Sequence, residues 1–590
     1  MTIKYPLLWL AICSIGTASA AEPQDTTAWR DAQLHTVVVT GTRTPKLLLN
    51  SPVLTEVITA SQIAQADATN LQDLLQHILP GVEFSYAMNQ QTHMNFAGFG
   101  GQSMLVLVDG ERLAGETMDD VDFTRLSMDN VDHVEIVKGA ASALYGSNAN
   151  GGVINIITKE AVQPFGLSVN GRIGRHNEQR YGLSWQQGGE KLTNLFNVSR
   201  TRMDNYEVKS GDHPMTRVFS TIYGDAVWNF KNQLTYRCTD RFKLTGRAGY
   251  FFRQLTRTAD APERYRDLNA GLRGQWAISE TDHLELSYAF DEYDKSDYQK
   301  RMRLDIRDYA NVRNSLRLLY SHSLGDDVLL MGADYLHDYI FNDKLVGRTR
   351  RQDAVDAFAQ YDWNINHAWE LVGALRYDYF SNQSLSHLTP KLSVRYRPVR
   401  RLTFRFGYGM GFRAPTLKEK YYNFDMAGIW TVDGNPNLKA EVSHNFNLSA
   451  EYFRGRYCFT MSGYYNNIND KIATGAPYYK NPSDVIPHLP YLNLADYSVV
   501  GGEFTALARW SNGLSARLSY ALTDEHLPRN KNNDRVNNQY IPARKPSLSA
   551  QANWDHQFGT SYGLNIGING RLLSSVDNEE FVDYYDITKE

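Results

Sequence analysis

Several groups of side chains in this 590-residue sequence have the type and spacing for chemistry. The first is the glycine-bearing stretch VKGAASALYGSNANGGVINIITK, Val137 to Lys159. Strand, glycine loop and strand is how many phosphate cradles begin. A P-loop needs its second Gly followed by Lys and Ser/Thr, because the amine reaches the phosphates and the hydroxyl holds Mg²⁺. Here Ser147 and Asn148 follow Gly146. A dinucleotide fingerprint needs G-x-G-x-x-G opening a helix. Gly152 is followed instead by the β-branched run Val153-Ile154-Asn155-Ile156-Ile157-Thr158. The glycines therefore read as hinges and points of close approach between packed strands.

His93 lies in the polar stretch Asn89–Phe96. Its imidazole is a metal-ligating type, and a solvated loop histidine is the alternative. The acidic run Asp119-Asp120-Val121-Asp122 lacks EF-hand spacing and reads as a solvated loop. Cys238 and Cys458 are too few for a zinc site or a disulfide framework, and whether they pair stays open. With no G-x-S-x-G and no H-E-x-x-H, the sequence does not read as an enzyme.

Composition narrows the class. The chain is 42% hydrophobic with 36 Tyr and 25 Phe, yet its mean hydropathy of -0.45 excludes a bundle of membrane helices. Net charge is -4, and no basic block suggests nucleic acid. Residues 1–20 read as an export signal: Lys4, the short apolar core Leu7–Ile12, and Ala18-Ser19-Ala20 as a cleavage site.

From about residue 165 the dominant period is two. In Arg401–Met410, Leu402, Phe404, Phe406, Tyr408 and Met410 share one face. In Tyr562–Leu572 the apolar face is Tyr562, Leu564, Ile566, Ile568 and Leu572. Strands of ~10 residues exceed the ~5–6 usual in soluble sheets, and roughly nineteen of them exceed an ordinary sandwich. Short turns such as Arg454-Gly455-Arg456 alternate with long polar loops such as Tyr421–Pro436 and Asn466–Pro490. That asymmetry, with aromatics such as Trp369, Tyr377 and Tyr379 at strand ends, predicts a membrane β-barrel with long loops facing outward.

Ser51–Thr158 differs. Val53–Thr59 reads as a strand, and Thr69–Gln72 as a capping box. Leu71, Leu74, Leu75 and Ile78 share a helix face that Pro80-Gly81 ends. Met104–Val108, His133–Val137 and Val153–Thr158 read as further strands of a compact αβ unit.

LPGV (Leu79–Val82), LVLVDGERL (Leu105–Leu113) and VDHVEIVKGAASALYGSNANGGVINIIT (Val131–Thr158) resemble the plug of TonB-dependent outer-membrane receptors. HTVVVTGTRTP (His35–Pro45) resembles the energy-coupling box, and GFRAPTLKE (Gly411–Glu419), NPNLKAE (Asn435–Glu441) and YLNLADYSVVGGEF (Tyr491–Phe504) resemble barrel motifs. The resemblance implies a mainly β fold: a 22-stranded transmembrane β-barrel around an N-terminal αβ plug. The expected divisions are a signal peptide at 1–20, a segment with the TonB box at 21–50, a plug at 51–160 and a barrel at 161–590. There are departures. Ala97 stands where members carry Arg before Gly98, and the chain ends Ile587-Thr588-Lys589-Glu590 without a terminal aromatic. The strand count also falls about three short of the barrel, so a barrel lacking its C-terminal strands is expected.

Function follows from the resemblance: active transport of a scarce metal chelate across the outer membrane, driven by TonB–ExbB–ExbD. The β-branched run Thr36, Val37, Val38, Val39, Thr40 suits strand addition to that partner. An internal plug strand is its alternative reading. Haem is the expected ligand, with cobalamin or a ferric siderophore as alternatives. Haem receptors use a plug histidine, here His93, and a histidine between the FRAP and NPNL motifs. The second is absent, and Tyr421 and Tyr422 stand there, beside Met426 and Trp430. Tyr ligates haem iron, and an aromatic girdle is the alternative reading for the pair. No resident cofactor is expected. Outer-membrane lipid and a surface lipoprotein complete the expected partners, and a docking or adhesion barrel is the competing class.

Overall fold

The computed structural model describes residues 37–86, 91–117, 120–161, 163–210, 218–382, 385–426, 428–475, 477–494, 497–526, 546–558 and 562–574. Nineteen antiparallel strands form one wall, from Phe165–Ile173 to Tyr562–Leu573, and each pairs with the next in the chain. The described residues thus supply nineteen of the twenty-two strands that the resemblance implies, and no pairing joins the first to the last among them.

Alternation decides which side each wall residue faces. In Thr349–Trp363, Val355, Tyr361 and Trp363 are exposed, while Ala354, Asp356, Phe358, Gln360 and Asp362 are buried toward the interior. In Glu263–Ala277 the outward residues Leu268, Leu272 and Trp276 make an apolar band. The nine residues from Leu268 to Trp276 match the ~9–11 that a tilted strand needs to cross a bilayer. Beyond the band Arg266 meets Asp294 at 2.8 Å and Asp305 at 3.0 Å, which places that end in a polar layer. Strands Asp282–Gln299 and Leu304–Leu324, with 18 and 21 residues, continue past the band on the long-loop side.

Inside the wall sits the αβ unit. Its strands are β1 (Val37–Val38), β2 (Lys46–Leu47), β3 (Thr55–Thr59), β4 (Val82–Tyr86), β5 (Thr92–Phe96), β6 (Met104–Val108), β7 (Glu111–Arg112), β8 (Val131–Lys138) and β9 (Gly152–Thr158). Its helices are α1 (Ala60–Ala66), α2 (Leu71–Ile78) and α3 (Ser142–Tyr145). The main sheet runs β3-β8-β9-β6-β7, with β6 and β9 parallel. Leu71, Leu74, Leu75 and Ile78 of α2 are buried in the core with Ile58, Val134, Ile136 and Ile154 of the sheet. The first strand begins at Thr55 rather than Val53. The cap of α2 also shifts from the expected position. Asn70 accepts from Asp73 N at 3.0 Å, while Asp73 turns its carboxylate back to Thr69 N at 3.2 Å.

The glycine loop packs closely, as its composition predicts. A Cβ on Gly151 would lie 2.5 Å from the Phe99 ring, and one on Gly152, at φ +148°, would lie 2.4 Å from the Val137 carbonyl.

Candidate functional site

At the short-turn end of the wall, β1 and β2 form a separate ribbon with Val37 opposite Leu47 and Val38 opposite Lys46. The run is not a member of the plug's main sheet; Thr36 lies outside the described residues. Val37 is 44% exposed and Val38 is buried. Val39 N donates to both oxygens of Glu135 at 3.0 Å, and Thr40 N donates to Oε2 at 2.6 Å. Asn155 Nδ2 donates to Thr40 Oγ1 at 3.0 Å, and Tyr145 OH to the Thr40 carbonyl at 3.1 Å. Glu135 is fully buried. His133 Nε2 lies 3.1 Å from it, with Nδ1 2.7 Å from Asp132. Burial alone would raise the Glu135 carboxyl, but the bonds from His133, Thr40 and Val39 hold it below its usual range. Burial opposes charging His133, yet its two carboxylate partners raise it overall.

The following residues are tied to the wall. Lys391 Nζ donates to the Gly41 carbonyl at 3.0 Å, Gln360 Nε2 to Thr42 at 2.8 Å, and Arg405 Nε to Ser51 at 2.9 Å. Lys46 pairs with Asp362 and Glu370, which flank the short turn between their strands. A cavity of about 1900 Å³ opens here, bordered by Val37, Val39, His133 and the turn residues Thr239–Phe242.

Deeper in, ion clusters fix plug to wall. Arg125 faces Asp267 and Asp291, donating to Asp291 at 2.9 and 3.0 Å. Glu111 meets Arg273 at 3.2 Å and Arg317 at 3.5 Å. Glu56 meets Lys138 at 3.2 Å and also pairs with Arg517. Burial pushes both glutamates up, but these cations outweigh it and bring each down to about 2.

At the long-loop end, His93 is on β5, opposite Ser85, with Nδ1 3.3 Å from Asp120. Asp120 and Asp122 are buried, which corrects the solvated-loop expectation for this acidic run. Asp120 accepts from Met94 N at 3.2 Å, and Asp122 from Tyr293 OH at 2.9 Å. Asp119 lies outside the described residues. Asp120 and Asp122 are buried because they pair with donors from β5 and the wall, which a sequence does not display. Tyr293 belongs to an aromatic cluster with Tyr265, Tyr309, Leu345 and Leu417, against which Tyr421 and Tyr422 pack. Tyr421 OH donates to Asn382 at 3.1 Å, and the Arg350 guanidinium lies 4.4 Å over its ring. Tyr422 OH accepts from Asn342 Nδ2 at 3.4 Å. His93 is connected to the cluster that holds the two tyrosines indirectly, through Asp120, the chain to Asp122, and Tyr293.

The outer loops are themselves joined. Strands Asn423–Met426, Trp430–Asp433, His488–Leu494 and Lys471–Thr474 make a four-stranded sheet across two loops. Asn493 adds three bonds: it accepts from Lys439 N and donates to the Lys439 and Asp470 carbonyls, at 2.8 to 3.0 Å. Lys420, on the loop helix Leu417–Tyr421, is pushed down to about 8 by burial. Cys238 and Cys458 are free thiols. Among the described residues no cluster of three His, Cys, Asp or Glu could hold a metal ion.

Glu135 was not picked out from the sequence. Its signal was a charge inside the apolar strand Val134-Glu135-Ile136-Val137, where a buried carboxylate requires donors. Arg125 gave no such signal, because its partners lie 142 and 166 positions away.

Comparison with known proteins gives consistent matches. Residues 163–586 match the family model described as TonB dependent receptor-like, beta-barrel. Residues 48–153 match the TonB-dependent Receptor Plug Domain. The chain is 24% identical over 531 residues to the vitamin B12 transporter BtuB of Photobacterium profundum, covering 84% of this chain and 79% of that protein. It is 28% identical over 509 residues to that of Vibrio cholerae, covering 83% and 76%. Its fold matches the crystal structure of the ferric enterobactin receptor PfeA of Pseudomonas aeruginosa with a TM-score of 0.74 at 18% identity, covering 88% and 85% of the two chains.

Proposed function

Because this chain belongs to the TonB-dependent receptor family, an outer-membrane receptor and not an enzyme, we propose that it takes up a corrinoid of the cobalamin type by TonB-coupled displacement of its plug. Two relatives carrying the name vitamin B12 transporter support the ligand class. One observation carries the mechanism: the Val37–Val38 ribbon, half-exposed at Val37, is docked on the plug beside a cavity at the short-turn end. A β-branched strand in that place can add to the edge of a periplasmic partner sheet, and a pull on it is transmitted to β3 of the plug. At the other end, rings and cations meet: Arg350 on Tyr421, and Lys344 4.7 Å over Phe424. Such a mouth suits a macrocyclic chelate that carries an anionic group, the single phosphate of a cobalamin or the propionates of a haem.

A second reading, haem, rests on His93. Asp120 beside Nδ1 favours the tautomer whose Nε2 carries the lone pair, as in carboxylate-oriented metal ligands. Tyr421 or Tyr422 is the opposing ligand in this reading.

Purified receptor titrated separately with cobalamin, haem and ferric enterobactin decides between them. Tight cobalamin binding is expected. A sharp Soret shift on adding haem, lost in His93→Ala and weakened in the double Tyr421→Phe/Tyr422→Phe variant, would replace the corrinoid reading. Val38→Pro removes a main-chain donor and blocks strand addition. It should abolish uptake of the bound chelate and leave surface binding intact. Normal growth of that variant on limiting chelate would refute the coupling role.

A further inference from the structure

We propose that Glu135 is a positioning residue for energy coupling, a buried carboxylate latch that holds the coupling segment down until the partner strand competes for it. This rests on reading Val37–Thr40 as the coupling segment. To pair with a partner's edge, a strand must offer its main-chain N–H groups. Two consecutive donors of this segment, Val39 N and Thr40 N, are already committed to Glu135 at 2.6 to 3.0 Å. Both go to an ionised acceptor, and charge-assisted bonds are about twice as strong as neutral ones.

The surroundings fit a latch that opens and recloses. The ribbon leaves Val37 half-exposed as a handle, while Val38, Thr40 and Glu135 are buried. Peeling the segment away strips two donors from Glu135 but not the His133 contact at 3.1 Å. His133 is in turn tied to Asp132, whose side chain is 55% exposed. The carboxylate is thus not stranded when the segment leaves, and it stays ready to take the segment back. Asn155 and Tyr145 also hold Thr40, so full release of the segment breaks these two bonds as well. The latch itself is built from the plug, since Glu135, His133, Asn155 and Tyr145 all belong to it.

The test is thiol labelling of Val38→Cys by a water-soluble maleimide, on purified full-length receptor in a Cys238→Ser background. In the reference protein labelling is expected to be slow, because Val38 is 1% exposed. Glu135→Gln, which keeps the size but removes the charge, should raise the rate about tenfold or more, since bonds to charged groups contribute more than one decade each. Val39→Pro deletes one donor from the segment side, outside β8, and should raise it several-fold. It decides the matter if Glu135→Gln fails to fold. Glu135→Asp should fall between reference and Gln, which simple loosening of the plug core would not give. Rates within about twofold of reference in both Glu135→Gln and Val39→Pro overturn the latch. Raised rates combined with normal uptake by Val38→Pro would instead overturn the coupling role and leave the carboxylate cradle standing.

Discussion

Replacing Arg125 by Met should unseat the plug from the wall, and the size of the effect can be worked out. Arg125 is 5% exposed and faces two wall carboxylates, Asp267 and Asp291, themselves 1% and 5% exposed. It also donates to the Ala114 carbonyl at 2.5 Å. Met keeps most of the volume and removes the charge, leaving two buried acids face to face. Breaking a buried ion pair in this way costs about 3–5 kcal/mol. With a urea slope of about 2 kcal/mol per M for a domain of this size, the plug's unfolding midpoint should fall by roughly 1.5–2.5 M. Pulse proteolysis in detergent reads that midpoint, because the plug is cut once open while the strand-paired wall resists. Arg301→Met is the control. Arg301 is 86% exposed and lies 3.4 Å from Asp260, so its loss should move the midpoint by less than about 0.5 M. Adding Asp267→Asn to Arg125→Met removes one stranded acid and should recover part of the loss. A fall below about 0.3 M in Arg125→Met, or no recovery in the double variant, would show that the cluster is not what seats the plug.

Gly115 has φ +80°, and a Cβ there would lie 2.3 to 2.5 Å from Tyr293. Gly115→Ala should therefore cost about 2–4 kcal/mol from left-handed strain and overpacking, read as a lower plug midpoint in the same assay. Glu56 and Glu111 have carboxyls brought from 4.5 down to about 2 in the folded protein. A depressed carboxylate stabilises fully above its unfolded value and loses that contribution as pH falls toward the folded one. The plug midpoint should thus be level in respect of these groups from pH 8 to 5 and fall between about 4.5 and 2; a decline already complete at pH 6 would contradict it. Asn493→Ala removes two bonds that join the outer loops, both to Lys439, and one within its own loop, to the Asp470 carbonyl, about 1 kcal/mol each, and should speed protease nicking at 470–494 without altering barrel insertion.

Much of the wall was legible because lipid imposes a strict period of two. The outward Leu268, Leu272 and Trp276 and the inward Tyr265 and Asp267 follow directly from the alternation. Helix α2 was legible from four leucine and isoleucine positions, although its cap moved because Asn70 and Asp73 satisfy two donors more effectively than Thr69 could. The site was less legible. Val37 to Thr40 could be read as a strand in either of two places, and its docking on Glu135, 95 residues away from Thr40, leaves no local pattern. The acidic run Asp120 to Asp122 looked solvated because its donors come from β5 and from Tyr293, 171 residues further on. Long-range pairing of polar groups leaves no local periodicity, so sequence patterns reveal walls more readily than locks.

The strand order of the plug also has a mechanical meaning. Past the wall ties at Gly41, Thr42, Lys46 and Ser51, tension applied at Val37 reaches β3 before any other strand of the main sheet, and β3 is the edge strand, five residues long. The next residues along the chain are α1, α2, β4 and β5, which lie outside that sheet. Only at Met104 does the tether reach another of its strands, and β8 and β9, in its centre, come last. Residues 37–103 could thus be drawn out before the centre of the sheet bears load. At ~3.5 Å per extended residue that is on the order of 200 Å of slack. On this order the outer turns would leave first, as from a spool, and a four-stranded hub of β6, β7, β8 and β9 would leave last.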